Sequence, residues 1–192
     1  MNSTNSIPDS QKQWFVLRAT YSRQKKAYDY IVNAGKQADV EAYLPTHHVL
    51  KIINGKRKRV LVPYLPQLLF VYATAEQVKH WVEDTPDLSF LTYYYNHFKK
   101  DEQGKNPPLV VSDLAMRNFI RLTSVDNEHV KLVHPDQCHY KSGDVVRITD
   151  GEFVGVEGKV ARVSGQQRVV VEVEGICLIA TAYIPTAFLE RI

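Results

Sequence analysis

The chain has 192 residues, 44% of them hydrophobic, and a formal net charge of +3. That size suits one large domain or two small ones with ordinary cores, and no apolar run nears the roughly 18 residues that span a bilayer. The polar opening stretch excludes a secretory signal, and the two cysteines, Cys138 and Cys177, sit far apart in no metal-like spacing, which fits a reducing cytoplasm.

Residues 1–13 read as a flexible tail. Trp14–Thr20 is apolar enough for a buried first strand. Ser22 can cap a helix to about Asn33, with Ala27, Tyr30, Ile31 and Ala34 on one stripe and Gly35 as the stop. Glu41–Pro45 reads as the end of a second strand. Two β-like runs then flank Asn54-Gly55, the strongest short hairpin signal. Leu68–Tyr72 is a short apolar strand. Thr74 with Gln77 forms a capping box for a helix whose stripe is Val78, Trp81 and Val82, ending before Pro86. A strand follows over about Ser89–Tyr95. After Pro107-Pro108 and Val110-Val111, Ser112 caps a last helix that buries Ala115, Met116, Phe119 and Ile120.

This order, β-α-β-β-α-β-α, predicts an α+β domain over residues 14–124 with helices on one face of a sheet. Residues 125–139 mix Asp, Asn, His and Pro without a period and read as a linker. Residues 140–192 carry five short strands separated by Gly-bearing turns, the pattern of a small β-barrel. Val169, Val171 and Val173 alternate with Val170 and Glu172, as on a half-buried barrel wall.

Charge divides along the same line. Residues 1–124 hold 17 Lys and Arg against 11 Asp and Glu, net +6; residues 125–192 hold 7 against 10, net −3. A basic front favours nucleic acid, and an acidic back favours a protein partner.

Four constellations stand out. A two-residue turn at Asn54-Gly55 sets Ile53 opposite Lys56, Ile52 opposite Arg57 and Lys51 opposite Lys58. Arg57 and Arg59 then fall on the face opposite Lys56 and Lys58, so the ribbon should project into solvent. Charge so concentrated suggests phosphate contact ahead of the plainer reading, a solubilised edge hairpin. Arg18, Arg23, Lys25 and Lys26 surround the start of the first helix, where cations oppose the helix dipole. A nearby polyanion would compensate, although Lys25 and Lys26 also read as plain surface residues. Tyr64 and Leu65, held between Pro63 and Pro66, form either an exposed apolar patch or part of the core. Phe153, directly after the Asp150-Gly151 turn, reads as an exposed anchor for a protein or as a ring folded over the barrel end.

Catalytic and metal chemistry have little footing. His129, His134, Cys138 and His139 match no trusted zinc spacing. There is no phosphate-binding glycine loop, nucleophile elbow or carboxylate pair, so neither an enzyme nor a cofactor is expected.

Several of these segments together resemble the NusG superfamily of transcription factors. Trp14-Phe15-Val16-Leu17 stands at the start of that family's N-terminal domain, and Tyr43-Leu44-Pro45 at its second strand. Pro66-Gln67-Leu68-Leu69-Phe70-Val71 stands for Pro-Gly-Tyr-x-Phe-Val, and Asp150-Gly151-Glu152-Phe153 with Gly158 for the turn of a KOW module. Pro107–Asp113 with Phe119-Ile120, and Tyr183–Leu189, resemble the specialised UpxY antiterminators of Bacteroides-type bacteria, which act on surface-polysaccharide operons.

The resemblance implies a ferredoxin-like head that sits on the RNA polymerase clamp and a five-stranded, SH3-like KOW barrel. Pausing and termination would fall because clamp opening is disfavoured. Tyr64, Leu65 and Phe70 become candidates for the polymerase contact. Arg18, Arg23, Lys25, Lys26, Lys56, Arg57, Lys58 and Arg59 become candidates for non-template or upstream DNA. Glu152, Phe153 and Val154 would meet a NusE-type ribosomal protein or a termination factor. Gln67-Leu68 in place of Gly-Tyr, and Glu152 in place of a common proline, are departures at those two contacts. A housekeeping factor of the same superfamily is the main alternative. A ribosomal-type KOW protein that binds RNA is another, and the acidic tail argues against it. A protein adaptor that touches no nucleic acid would be insensitive to salt. Nothing in the sequence demands more than a monomer.

Overall fold

The computed structural model describes residues 11–35 and 39–192, with only the backbone of 141–144. Most of the expected tail therefore lies outside the described residues. The chain divides into two compact units. One joins the segment ending at Leu44 to Leu65–Ser112, and the other joins Pro45–Tyr64 to Asp113–Ile192.

In the first unit, β1 (Gln13–Ala19) is the central strand of an antiparallel sheet. Around it run β2 (Glu41–Tyr43), β5 (Leu68–Ala73), β6 (Leu91–Tyr93) and the short β7 (Val110–Val111), in the order β2-β5-β1-β6 with β7 also paired to β1. Phe15, Leu17 and Ala19 share one core with Ala27 and Ile31 of α1 (Gln24–Gly35) and Val78 of α2 (Ala75–Lys79). The intervening Trp14 and Val16, with Phe70 of β5, are buried as well. Burial on both faces explains why β1 reads as a continuous apolar run rather than an alternating one. Truncating a fully buried ring such as Phe70 costs about 3–5 kcal/mol.

A local signal decides the start of α2. The Thr74 hydroxyl accepts the Gln77 N–H at 3.2 Å, and the Gln77 side chain accepts the Thr74 N–H at 2.9 Å, closing the expected capping box. Ser22, by contrast, does not cap α1. It has φ 56°, outside helical space, and the chain enters the helix one residue later, where the Arg23 carbonyl accepts the Ala27 N–H at 3.1 Å. The stripe of α1 is Ala27 and Ile31, with Tyr30 packed beside it; Ala34 is exposed.

The second unit contains a two-stranded ribbon, β3 (Thr46–Ile53) and β4 (Lys56–Pro63), helix α3 (Asp113–Ser124) and a β-rich tail. The tail holds six strands rather than the expected five, in the order β13-β9-β10-β11-β12-β8. They are β8 (Lys131–Val133), β9 (His139–Ile148), β10 (Glu157–Val163), β11 (Gln166–Val173), β12 (Cys177–Ala180) and β13 (Leu189–Arg191). The extra strand, β8, arises inside the stretch that reads as a linker. Its Leu132-Val133 pair is enough to add an edge beside Leu178 and Ile179, and Val133 enters the core there.

β11 also departs from expectation. Arg168 and every valine from Val169 to Val173 are buried, so the strand is covered on both sides, and α3 packs against it. Arg168 donates to the carbonyls of His129 at 2.7 Å and Thr181 at 2.6 Å, tying the start of the tail to its sheet.

Candidate nucleic-acid interface

The ribbon turns through Asn54 (φ 53°) and Gly55 (φ 73°), the paired left-handed conformation a two-residue turn needs and Asn-Gly adopts readily. The register sets Ile53 opposite Lys56, Ile52 opposite Arg57, Lys51 opposite Lys58 and Leu50 opposite Arg59. Directly opposed residues point to the same side. One face therefore carries Lys51, Lys56 and Lys58, and the other carries Arg57 and Arg59 among Leu50 and Ile52. All four cations of the tip are exposed, as are Leu50 (72%) and Ile52 (74%). Lys51 opposite Lys58 repels in isolation, an arrangement a bound polyanion would relieve.

Within the same unit, Asp126 bonds to Arg59, and the His48 ring lies 3.3 Å from its carboxylate. These contacts, Arg59 first, hold the Asp126 carboxyl below the usual carboxylate range. At the ribbon base the His47 ring stacks on Tyr64 at 4.1 Å between centroids. Burial pushes the His47 pKa down, and the neighbouring His48 adds to the effect.

The second cationic cluster lies on the first unit. Arg18 Nε donates to the Gln67 side chain at 3.2 Å. Gln67 occupies the left-handed region, φ 67°, where the resemblance places a glycine. Lys25 pairs with Asp29 at 2.7 Å one helical turn away. The Arg23 guanidinium lies 5.3 Å from the Phe90 ring centroid and 5.5 Å from that of Tyr21, while Lys26 lies 5.5 Å from Phe90. Tyr21 is 82% exposed, and the sequence reading passed over it. A tyrosine beside a predicted strand end looks like ordinary core; only its backbone conformation turns it outward.

The other two constellations are less open than their sequence suggests. Tyr64, Leu65 and Phe70 are all buried, which is the core packing weighed above. Phe70 lies within β5, paired with Val16 and Tyr43, and has no surface to offer. The Tyr64 hydroxyl lies 3.5 Å from the Val130 carbonyl.

Phe153 is 4% exposed, not an open anchor. The turn that carries it is closed by its own backbone: Val154 N–H donates to Gly151 at 3.2 Å and Gly155 N–H to Ile148 at 2.7 Å, which folds the ring inward. Helix α3 braces the same turn, because Asn118 accepts the Glu157 N–H at 3.1 Å and Arg121 reaches the Val154 carbonyl at 3.5 Å. Asn127 donates to Glu152 at 2.7 Å. Val154 remains exposed.

Among the described residues no group of three or more His, Cys, Asp or Glu could hold a metal ion, and no helix is long and apolar enough to cross a membrane. Cys138 and Cys177 are both free thiols, and burial pushes the Cys177 pKa up to about 12.

The family model described as transcription termination factor nusG matches residues 12–120, more than half of the chain. A solved structure described as domain interaction in Thermotoga maritima NusG is 18% identical, covers 95% of this chain and 98% of its own, and superposes with a TM-score of 0.43. No curated protein matches.

Proposed function

The chain belongs to the NusG family of transcription elongation and termination factors, whose members interact with RNA polymerase, and from that premise we propose a specialised antitermination factor of the UpxY type. It would act in the cytoplasm, as a monomer and without a cofactor, on surface-polysaccharide operons. A ferredoxin-like head, residues 14–124, rests on the polymerase clamp and holds the cleft closed around DNA. Residues 125–139 join it to a KOW-type barrel, residues 140–192, which is left for a second partner. Closing the clamp shifts a population away from paused and terminating states, so no catalytic step is needed.

The observation that carries the DNA contact is the cationic ribbon, four consecutive exposed cations at Lys56–Arg59 with Lys51 across from Lys58. Arg18, Arg23, Lys25 and Lys26, on the first unit, are assigned a contact of their own with exposed non-template strand or upstream duplex. Lys25 contributes least, since Asp29 already neutralises it. Tyr64 and Leu65 are assigned to the polymerase contact, which requires them to leave their buried positions, and Phe70, inside β5, has at most an indirect part in it. Glu152 and Val154 are assigned to a ribosomal protein or termination factor, with Phe153 shaping their turn from within.

Replacing Lys56, Arg57, Lys58 and Arg59 together by Gln tests the reading on reconstituted elongation complexes. Loading and terminator read-through should fall, most at low salt because the variant's salt dependence becomes shallower, while the thermal transition stays in place because all four side chains are exposed. Unchanged recruitment overturns the DNA role. Transcript mapping separates the specialised from the housekeeping factor, since occupancy across the whole genome refutes operon specificity.

A further inference from the structure

Between β6 and β7 the chain makes an excursion, residues 94–109, that is tied down by its own polar groups. Its base is closed by the Asn96 N–H, which donates to the Pro107 carbonyl at 2.8 Å, and by the Leu109 N–H, which donates to the Tyr94 carbonyl at 2.8 Å. The Asn96 side-chain oxygen accepts the N–H groups of Phe98 at 2.9 Å and Lys99 at 3.1 Å. The Asn106 side chain in turn donates to the Asn96 carbonyl at 2.7 Å. Further out, one Asp101 carboxylate oxygen accepts the N–H groups of Gln103 at 2.9 Å and Lys105 at 2.8 Å. A segment bonded in this way is preorganised, so holding it still against a partner costs little further entropy.

What the excursion presents is Phe98, 78% exposed. A phenyl ring has no polar atom to satisfy, and water is its least favourable surrounding. Tyr95 and Val110 are exposed as well. Tyr95 bridges to Pro108, and Val110 lies two residues further along the same extended segment, so these three share one side. The residues after Phe98 are charged and exposed: Lys99, Lys100, Asp101, Glu102 and Lys105. Three lysines against two carboxylates leave a net charge of +1. A polynucleotide would meet the carboxylates as well as the lysines and gain little. An aromatic centre with a rim of both signs is the anatomy of a protein interface.

The excursion lies within residues 12–120, the part of the chain matched by the nusG family model, and members of that family interact with RNA polymerase. Such a contact needs open apolar surface. Tyr64, Leu65 and Phe70 are buried, whereas Phe98 is already open.

We propose that Phe98 anchors the contact with RNA polymerase, its ring entering an apolar pocket whose rim carries carboxylates opposite Lys99 and Lys100. The inference rests on the polymerase reading and adds to it a contact that needs no rearrangement of the fold. Asn106, bonded to Lys100, steadies one of the two rim cations.

The test is biolayer interferometry of the full chain on immobilised core RNA polymerase. Phe98→Ala should weaken wild-type binding on the order of 30-fold, mainly through faster dissociation. Its thermal transition should stay in place, because the ring is exposed. Phe98→Leu, which keeps part of the apolar bulk, should lose less. Lys99→Glu combined with Lys100→Glu should slow association and leave dissociation nearly unchanged. Wild-type affinity in Phe98→Ala overturns the proposal and leaves the functional reading standing. A wild-type chain that ignores core polymerase sinks both. Labelled single-stranded and duplex DNA are the second probe: a Phe98→Ala loss on DNA with polymerase binding intact overturns the protein assignment.

Discussion

The side-chain oxygen of Asn118, on helix α3, accepts the backbone N–H of Glu157 at the start of β10 at 3.1 Å, and Asn118 is itself buried. The bond ties the end of the Phe153 turn to a helix 39 residues earlier in the chain. Asn118→Ala removes the acceptor and strands a part-buried donor, a cost of about 1–3 kcal/mol. Chemical denaturation should show that loss with an unchanged m-value, and hydrogen exchange at Glu157 should accelerate before that at the core of β11. Protection at Glu157 equal to wild type would show that another protein acceptor takes over the N–H.

Asp126 gives a pH-dependent prediction of known sign. Its carboxyl is depressed first by the Arg59 bond and then by the His48 bond. A depressed folded pKa means that the contact contributes fully above the unfolded value, near 3.9, and is lost as pH falls through the lower folded one. The group is exposed, so the effect on global stability is small. Carbon-13 NMR of the Asp126 carboxyl should show a midpoint below that of an unfolded reference peptide, and Arg59→Gln should move it upward. A midpoint indifferent to Arg59→Gln would mean that the pair does not persist in solution.

Gly158 tests why the turn motif requires glycine. A Cβ there would approach the Val170 carbonyl oxygen to 2.5 Å and a Val169 methyl to 2.9 Å. The first obstacle is backbone in a paired strand and cannot rotate aside. Gly158→Ala should therefore destabilise by about 1–3 kcal/mol through overpacking, seen as a lower Tm and as shifted amide resonances along β10 and β11. A Tm within one degree of wild type would show that the two strands separate at no cost.

Sequence reading succeeded where neighbours in the chain decide the structure. Asn54-Gly55 determines a turn type, the turn type determines the register of β3 against β4, and the register sorts lysines from arginines by face. Thr74 and Gln77 make their capping box within one helical turn. It failed where a side chain's partner is remote. Phe153 follows a turn and reads either as an exposed anchor or as a ring folded over the barrel end, and only the structure, which buries it, chooses between the two. Val169–Val173 read as a half-buried wall because composition does not record that α3 packs against β11. Tyr21 went unnoticed because a left-handed tyrosine carries no pattern at all.

The amino-acid order by itself determined most of the elements, the cationic ribbon and the division of charge between front and back, since periodicity, turn chemistry and ionisation act over a few residues. Tertiary structure alone decided which of the aromatic residues face water. Exposure depends on what the rest of the chain places over a ring, and that is settled by packing between segments far apart in sequence.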